Sequence, residues 1–223
     1  MKHVAYIGAK RDSSRLPGKN MMMFHGKPLI QWTIEAAQES KLDEVVVYGD
    51  WDEALRLAEK LGTKTDCTPA GINDKQSGHF LAVGHAVQAH PSDQLWWLQA
   101  TSPLRTSLDI NHVHSMLGGD VRAVATMTGS GSKHPLAAKL VRDDGFMEAF
   151  GESEAHLPQE FLPKCYYPNG AIFTTPTEAF MKTLSLWSVP VKPYLMGEIG
   201  SIDIDTLGDF KLAEWYYTMY VLR

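Results

Sequence analysis

The chain has 223 residues, of which 44% are hydrophobic and 21% are charged, and its formal net charge is -5. This length and composition suit one globular domain that needs neither a metal nor a disulfide to support its core. The negative charge argues against a nucleic-acid-binding or anionic-membrane-binding protein, because both functions use a basic surface.

Targeting and redox signals narrow the class of protein further. No window approaches about 18 consecutive apolar residues, so we expect no membrane span. Met1-Lys2-His3 leads directly into a strand-like run, so we expect no signal peptide. Cys67 and Cys165 show neither a CxxC spacing nor a metal-ligand pattern. We therefore expect a cytoplasmic protein with two unpaired thiols.

Short apolar runs alternate with helical patterns over the first two-thirds of the chain, which is typical of a parallel sheet with crossover helices. The runs predict strands at residues 3–7, 44–48, 63–67, 94–99 and 123–127. Apolar residues at helical spacing predict a helix that begins at Pro28 and further helices at 52–61, 80–89 and 108–117. We therefore predict an α/β fold with a mostly parallel central sheet and helices on both faces.

The alternation breaks between about residues 130 and 168, where Gly, Pro, His and charged residues are frequent. Short strands at 138–141 and 146–149 are the only elements predicted there. We interpret this segment as an excursion from a single domain spanning residues 1–223, and as an arm for dimerisation. Alternation resumes with a strand at 170–173, a helix near 176–183, strands near 188–195 and 201–204, and a last helix from about Thr206, whose N-cap pattern includes Asp209.

A long polar loop runs from the first predicted strand to about Gly26, at the place where open α/β sheets bind their ligands. One short stretch here contains a single acid, Asp12, and five cations: Lys10, Arg11, Arg15, Lys19 and Lys27. The stretch has no GxGxxG fingerprint, and it is not a P-loop because Asn20 follows Gly18-Lys19. Such a loop can wrap a triphosphate with backbone N–H groups and cations. A solvated basic loop is the alternative that charge alone leaves open.

The same loop resembles the nucleotide-binding loop of the CMP-sugar synthetases, the cytidylyltransferases of sialic acid, pseudaminic acid, legionaminic acid and Kdo. Their pattern is approximately A-R-x-x-S-K-R-L-P-G-K-N, followed by G-K-P-L-I. The matching residues are Ala9, Ser13, 15–20 and 26–30. Lys10 replaces the first arginine of the pattern, and Ser14 replaces the lysine after the serine. Lys10 keeps the charge but loses bidentate geometry.

Three further blocks match the family pattern in the same order. Residues 98–105 resemble L-Q-P-T-S-P-L-R with Ala100 in place of proline, residues 168–173 resemble P-N-G-A-I-Y, and residues 201–206 resemble S-I-D-I-D-T. The four blocks cover nearly the whole chain and resemble the acylneuraminate type most. The resemblance implies a Rossmann-like nucleotide-diphospho-sugar transferase fold, Mg²⁺ as cofactor and a homodimer.

Asp203 and Asp205 alternate along the strand predicted at 201–204, so their carboxylates face one side of the sheet. Two like charges repel unless a cation lies between them, and Mg²⁺ takes one or two carboxylates with phosphate oxygens and water. The alternative is an exposed strand end, whose acids favour the N-terminus of the helix that Thr206 caps. With the resemblance, both acids are assigned to the metal, and Asp203 is the more direct ligand.

The resemblance also implies the reaction and its residues. The anomeric hydroxyl of an α-keto-acid sugar attacks the α-phosphorus of CTP, and pyrophosphate leaves. Lys19, Asp203 and Asp205 are assigned to catalysis. Residues assigned to the nucleotide are Ala9, Lys10, Ser13, Arg15, Lys19, Asn20 and Gln99. Residues assigned to the sugar are Gln99, Thr101, Tyr167, Asn169 and Phe173.

Two regions depart from the family pattern. The family's cytosine-recognition stretch, R-P-x-x-L-A-x-D, begins here with Thr68-Pro69 and lacks its arginine. Two family arginines that engage the acidic sugar align with Gln159 and Tyr167, so Lys164, Lys139 or a partner subunit would have to meet the carboxylate. We therefore expect an unusual nonulosonic or octulosonic acid. The alternatives are a nucleotidyltransferase for another sugar or nucleotide, and a catalytically silent paralogue that serves as a binding subunit.

Overall fold

The computed structural model describes residues 1–11, 13, 15–69, 71–72, 79–131, 133–150 and 158–221. Its strands are β1 (His3–Ala9), β2 (Met23–Phe24), β3 (Lys27–Pro28), β4 (Glu44–Gly49), β5 (Lys64–Cys67), β6 (Gln94–Leu98), β7 (Ala123–Gly129), β8 (Lys139–Val141), β9 (Met147–Ala149), β10 (Tyr166–Pro176) and β11 (Val191–Leu195). Its α-helices are α1 (Leu29–Gln38), α2 (Asp52–Lys60), α3 (His79–Ala89), α4 (Ser107–Met116), α5 (Thr177–Thr183) and α6 (Leu207–Tyr216). None of the helices in the described ranges is long and apolar enough to cross a membrane.

Seven strands form the central sheet in the order β11-β7-β10-β6-β1-β4-β5. β10 runs antiparallel to β6 and β7, whereas the other neighbouring strands are parallel. From β1 the chain proceeds outward to β4 and β5, and then returns to β6 on the other side of β1. The topological switch point therefore lies between β1 and β6, and their carboxyl ends border the crevice that sheets of this kind use for ligands.

The strands point apolar side chains to both faces of the sheet, which explains why helices cover both faces. Ile7 and Trp96 lie on one face and pack in a core that includes residues of α1, α2 and α4. Tyr6 and Trp97 lie on the opposite face and pack with α3 and α5. Successive side chains of a strand point to opposite faces, so each strand serves both cores. The predicted α/β fold, with a mostly parallel sheet and helices on both faces, is confirmed.

A third core holds the last helix against the segment that follows the basic loop. Phe24, Ile204 and Phe210 are buried together in it, and the rings of Phe24 and Phe210 meet edge to face at 5.7 Å. The predicted N-cap is confirmed, because Thr206 and Asp209 form a reciprocal capping box at the start of α6. Such a cap contributes about 1 kcal/mol. The basic loop and the acidic segment before α6 therefore rest on one core.

The structure confirms most predicted elements and corrects several. The stretch 201–204 is not a strand: its Ile204 N–H donates a single backbone hydrogen bond, at 2.8 Å, to Thr101 O. The predicted strand at 188–195 is shorter, and the one at 170–173 is much longer. The end of the predicted polar loop contains the β2–β3 hairpin, whose turn residues His25 and Gly26 both have positive φ. Two such residues form the tight turn that two-residue hairpins need.

The predicted excursion contains an antiparallel hairpin of β8 and β9, in which Val141 pairs with Met147. Every residue of the two strands is exposed. This β8–β9 hairpin, which we call the arm, contributes no residue to the three cores.

Candidate active site

The basic loop lies over the carboxyl ends of β1 and β4. The Arg11 N–H donates to Asp50 Oδ1 at 3.2 Å, and Gly18 adopts the left-handed conformation with φ of 71°. Asn20 is buried, and its Nδ2 donates to Lys10 O at 3.3 Å. These contacts close the loop on itself and on the sheet. Its cations are therefore held at the switch point.

Lys19 joins the basic loop to the acidic segment before α6. Its side chain is only 13% exposed, and its Nζ donates to Ile204 O at 2.8 Å and to Asp205 Oδ1 at 2.9 Å. Arg15, which is 65% exposed, reaches Asp205 Oδ2 at 2.7 Å. Both carboxylate oxygens of Asp205 are thus paired with loop cations. The exposed Arg15 pair is screened by solvent and contributes little to stability, whereas the Lys19 pair is shielded.

Asp203 has different surroundings, and its Oδ1 is shielded from solvent with no hydrogen-bond partner among the described residues. Burial raises the pKa of Asp203, and the polar side chain of the neighbouring Thr101 opposes this. The charge of Asp205 raises the pKa further, while Lys19 and Arg15 lower it. A buried carboxylate oxygen without a donor is costly alone and suits a hard cation such as Mg²⁺.

The acidic pair therefore fits a magnesium ion with unequal roles. Asp203 offers an oxygen without a partner among the described residues. Asp205 would ligate the ion directly by replacing its contact with Arg15 or Lys19 with a bond to the metal. In the described part of the chain, no group of three or more His, Cys, Asp or Glu side chains converges as a metal site. Mg²⁺ commonly keeps several waters and phosphate oxygens in its shell, so one or two carboxylates suffice.

Gln99 lies just beyond β6, beside the switch point. Its Oε1 accepts a hydrogen bond from the Thr101 hydroxyl at 3.3 Å. Gly170, on β10, has φ of 79°, and an added Cβ there would lie 2.7 Å from Gln99 Oε1. Only glycine leaves the Gln99 amide its place. The predicted site residues Gln99 and Thr101 are thus next to Asp203, on one edge of the sheet.

Asn169 also lies at this edge, but its polar atoms serve the fold. Its Oδ1 accepts from the Thr126 hydroxyl at 2.5 Å and from the Ala171 N–H at 3.1 Å. Its Nδ2 donates to Ser201 Oγ at 2.9 Å. Asn169 is buried. These contacts tie β7 and β10 to the acidic segment and so help to place Asp203.

Two residues assigned to the sugar have other surroundings. Phe173 pairs with Trp97, the last residue but one of β6, and their ring centroids are 5.6 Å apart. Phe173 is 7% exposed and packs in the core on this face of the sheet, and its assignment to the sugar stays a prediction. Tyr167 pairs with Thr128 near the end of β7, and its hydroxyl donates to Lys133 O at 3.3 Å.

Two further residues predicted to bind the nucleotide, Ala9 and Ser13, lie at the start of the basic loop. Ala9 ends β1 and is fully buried. Its carbonyl lies against Gly49, where an added Cβ would approach Ala9 O to 2.3 Å. The Leu16 N–H lies 3.5 Å from Ser13 Oγ. We therefore expect Ala9 and Ser13 to act on a nucleotide mainly by shaping the backbone of the loop.

A cavity of about 320 Å³ opens at the same edge of the sheet, between the end of β7 and the start of β10. Its lining includes Ser130, His134, Glu160, Lys164 and Tyr166. His134 is buried, and its Nε2 lies 2.8 Å from Pro163 O, which fixes this wall. Lys164 supplies a positive charge to the lining.

Some sequence-based assignments fall outside the described residues. They concern Ser14 of the basic loop, Ala70 and residues 73–78 of the altered cytosine-recognition stretch, and the side chain of Gln159. Thr68, which stands at the position of the family arginine, is described: its Oγ1 is buried and has no partner among the described residues.

Two charged residues near the site were not assigned from the sequence. His79 begins α3; burial lowers its pKa, and the charges of Lys10 and Lys19 lower it further, so it lies near the basic loop. Arg105 is buried, and its Nη2 donates to the Thr33 hydroxyl. Arg105 could have been found from the sequence, because it ends the block 98–105 that matches the family pattern. Nothing in the sequence indicated a role for His79.

A basic loop and a buried carboxylate at the switch point of an open sheet are the arrangement of a nucleotide-binding α/β protein. A family model described as Cytidylyltransferase matches residues 4–187. The chain belongs to this family, which confirms the resemblance seen in the sequence.

Individual relatives agree with this family. The chain is 30% identical over 216 residues to an N-acylneuraminate cytidylyltransferase of Streptococcus agalactiae, a match that covers 94% of this chain and 52% of that protein. The chain thus spans about half the length of that relative. It is 31% identical over 231 residues to the CMP-N,N'-diacetyllegionaminic acid synthase of Legionella pneumophila, with 96% and 95% covered.

Among solved structures, a CMP:2-keto-3-deoxy-manno-octonic acid synthetase complexed with CTP matches with a TM-score of 0.73. The identity is 18%, and the match covers 98% of this chain and 99% of that one. At this identity the likeness concerns the fold, which is the Rossmann-like fold predicted from the sequence.

Proposed function

We propose that this chain couples CTP to a nonulosonic or related keto-acid sugar and releases pyrophosphate. One observation carries the proposal: Lys19 of the basic loop, the partnerless oxygen of Asp203 and the amide of Gln99 lie together at the switch point. The names of the relatives from Streptococcus agalactiae and Legionella pneumophila, an N-acylneuraminate cytidylyltransferase and a CMP-N,N'-diacetyllegionaminic acid synthase, support this substrate class.

In the proposed reaction the sugar's anomeric hydroxyl oxygen forms a bond to the α-phosphorus of CTP. The bond from that phosphorus to the oxygen that bridges it to the β-phosphorus breaks, pyrophosphate leaves with the electron pair, and the proton of the hydroxyl passes to solvent water. Positioning and neutralisation of charge dominate such transfers. Lys10, Arg15 and Lys19 supply the cations. Because Arg15 and Lys19 are paired with Asp205, the phosphates of CTP compete with that carboxylate for them.

We infer Mg²⁺ as the cofactor, held by Asp203 with Asp205 beside it. The partnerless Oδ1 of Asp203 supports this inference. When bound, the ion would neutralise phosphate charge and help to orient the phosphates. Lys19 keeps Asp205 in place, so the chain's own contribution is to present Asp203 next to the loop cations.

The acidic group of the sugar requires a positive partner that the family's arginines do not supply here. Lys164 lines the cavity at the carboxyl edge of the sheet and is our candidate for that partner. Tyr167 is directed to Lys133 O instead. A lysine meets a carboxylate as a point charge without bidentate geometry, which supports a sugar other than N-acetylneuraminate.

We also infer a homodimer formed through the arm. The arm exposes apolar side chains: Val141 on β8 at 74%, Met147 on β9 at 72% and Phe146 in the turn between them at 68%. A cluster of exposed apolar residues on a strand pair is typical of a protein interface.

The cysteines, Cys67 and Cys165, are both free, which supports the expected reducing, cytoplasmic environment.

Pyrophosphate release tests the proposal. The wild-type chain is assayed with each of four nucleotides, several keto-acid sugars and one sugar 1-phosphate, with and without Mg²⁺. Turnover with CTP and a keto-acid sugar, lost on removal of Mg²⁺, is the expected result. Turnover only with the sugar 1-phosphate would indicate a different nucleotidyltransferase, and no turnover in any combination would indicate a silent binding subunit.

A further inference from the structure

Arg105 is a charged side chain inside the protein. It follows the turn after β6 and is 2% exposed. Its Nη2 donates to Thr33 Oγ1 at 2.7 Å, whereas its Nε and Nη1 have no hydrogen-bond partner among the described residues. Burial lowers the pKa of Arg105 to about 10, and the charge of Asp109 opposes this lowering. The guanidinium is therefore still protonated near neutral pH.

Asp109 does not neutralise this charge by direct pairing. Its Oδ2 accepts from the Thr106 hydroxyl at 2.7 Å, and its Oδ1 accepts from the Tyr194 hydroxyl at 3.3 Å. A buried charge with incomplete pairing is unfavourable, and an apolar side chain of similar volume often gives equal or greater stability. Stability alone therefore does not explain an arginine at this position.

Thr33 connects Arg105 to the catalytic edge. Thr33 is fully buried on α1, and its hydroxyl donates to Gln99 O at 3.3 Å. The same carbonyl accepts the Ser102 N–H at 3.4 Å. Because Arg105 occupies a lone pair of the Thr33 oxygen, the hydroxyl proton is directed toward Gln99, and the two bonds strengthen each other. This relay ends at the residue whose Oε1 meets Thr101.

We propose that Arg105 is a positioning residue: through Thr33 it holds the Gln99 carbonyl and thereby aims the Gln99 side chain at the junction of nucleotide and sugar. The catalytic consequence rests on the proposed function, whereas the relay itself does not. Arg105 touches neither substrate.

Four single variants and one double variant test the relay. Thr33→Val removes the hydroxyl at constant shape, and Arg105→Met removes the charge at similar length. We expect each to lower kcat about 10- to 100-fold, the cost of a misplaced group at the reacting centre. The KM for CTP should change much less than kcat, because Gln99 is one of several residues assigned to the nucleotide. Thr33→Ser and Arg105→Lys, which keep the donors, should retain most of the activity. The double variant Thr33→Val/Arg105→Met should be no slower than either parent, because the residues act as one unit.

Thr175→Val is the matched control. Thr175 is also a fully buried threonine, with a partnerless hydroxyl among the described residues, but it belongs to β10 and lies outside the relay. It should keep wild-type kcat. Wild-type kcat in Thr33→Val, multiplied effects in the double variant, or a parallel rise of the KM for CTP would each overturn the proposal.

A second readout separates this inference from the proposed function. Hydrogen exchange at the Ser102 amide, followed by NMR, reports the Gln99 carbonyl directly. The amide should exchange about tenfold faster in Thr33→Val than in the wild type and in Thr175→Val, because loss of one bond to the carbonyl loosens the turn. Unchanged exchange refutes the relay. If the wild type shows no turnover with any substrate, the proposed function fails, and this exchange measurement still decides the relay.

Discussion

The side-chain oxygen of Gln99 lies where the backbone of Gly170 leaves room for it: a Cβ on Gly170 would approach Gln99 Oε1 to 2.7 Å. The two residues belong to β10 and to the turn after β6, which are separated by most of the middle of the chain. A glycine with positive φ is thus tied to the position of one predicted site residue. Glycine is needed at position 170 for two reasons: the positive φ disfavours other residues, and a Cβ would take the space that the Gln99 side chain occupies.

Gly170→Ala separates these two reasons when it is compared with Gly62→Ala. Both glycines have φ near 80°, but an added Cβ on Gly62 meets nothing within 4 Å. Each variant should lose about 1–2 kcal/mol of unfolding free energy, since left-handed backbone disfavours a Cβ. Only Gly170→Ala should also lower kcat, by about 10- to 100-fold, because Gln99 must move. Chemical denaturation and pyrophosphate release measure the two effects, and equal activity losses in both variants would refute the steric argument.

Lys19→Ala should lower turnover by roughly 10²–10³-fold or more, the usual cost of removing one donor to developing negative charge. The fold should survive, because Asp205 keeps its contact with Arg15. Lys182→Ala is the control, since Lys182 is an exposed cation paired with Glu178 on α5. Pyrophosphate release and thermal denaturation test the pair. A near-wild-type rate for Lys19→Ala would contradict the assignment of the basic loop.

Asp203→Asn should abolish turnover without loss of thermal stability. Asp203 has a shielded Oδ1 and a pKa raised by burial, so its carboxylate is an unfavourable group in the fold that an amide of the same shape replaces without penalty. The rise in melting temperature that Mg²⁺ and CTP together produce in the wild type should disappear. Asp52→Asn, an exposed acid at the start of α2, should change neither property. A metal response retained in Asp203→Asn would exclude Asp203 as the ligand.

Local sequence patterns predicted most of the helices and strands. The apolar run at residues 3–7 predicted a strand, and Thr206 with Asp209 predicted the start of α6, because these signals act within a few residues. The segment 201–204 was wrongly predicted as a strand. Its apolar Ile204 is buried against the third core, so the pattern was real, but no neighbouring strand completes a ladder there.

The sequence named candidate site residues, but it did not predict the contacts between them. The Lys19–Asp205 hydrogen bond joins residues 186 positions apart, and the Arg105–Thr33 bond joins residues 72 apart. Such pairings are set by tertiary packing, which periodicity does not encode. The burial of Phe173 is likewise a tertiary property: its block matched the family pattern, but the pattern did not show that its ring packs against Trp97.

His3 should make stability fall as the pH drops below about 6.5. Its Nδ1 accepts the Trp96 indole N–H at 3.1 Å, and its ring lies 4.6 Å from His114. Burial lowers the pKa of His3, and the His114 charge lowers it further. The unfolded state therefore binds the proton first, and stability is lost from the unfolded pKa down to the lowered folded pKa. In urea denaturation between pH 7 and pH 5, His3→Gln should show a flatter pH dependence than the wild type.

The size of this pH effect is limited by exposure. A single proton changes stability by at most about 1.4 kcal/mol per pH unit, and solvent around the His3 ring keeps the contribution below that limit. His112→Gln, at a histidine that stacks on Tyr194 and has no contact with Trp96, should retain the wild-type slope. An unchanged slope in His3→Gln would contradict the prediction.

The arm supplies the last prediction, which concerns assembly. Val141 and Met147 pair directly across β8 and β9 and are each more than 70% exposed. A variant with Val141→Glu and Met147→Glu should convert a dimer into a monomer in light scattering, because burying two carboxylates in an apolar interface is prohibitive. The melting temperature of the monomer should stay near that of the wild type at low concentration, since no core residue changes.

Leu108→Glu provides the comparison for exposed apolar residues in general. Leu108 is 75% exposed on α4 and lies outside the arm, so its replacement should leave the dimer intact. Exposed apolar residues that are scattered singly are ordinary, whereas a cluster on one strand pair is not. If both variants leave the mass unchanged, or if the wild type is already a monomer, the arm has no role in self-association. If only the arm variant dissociates, the exposed strands are the interface.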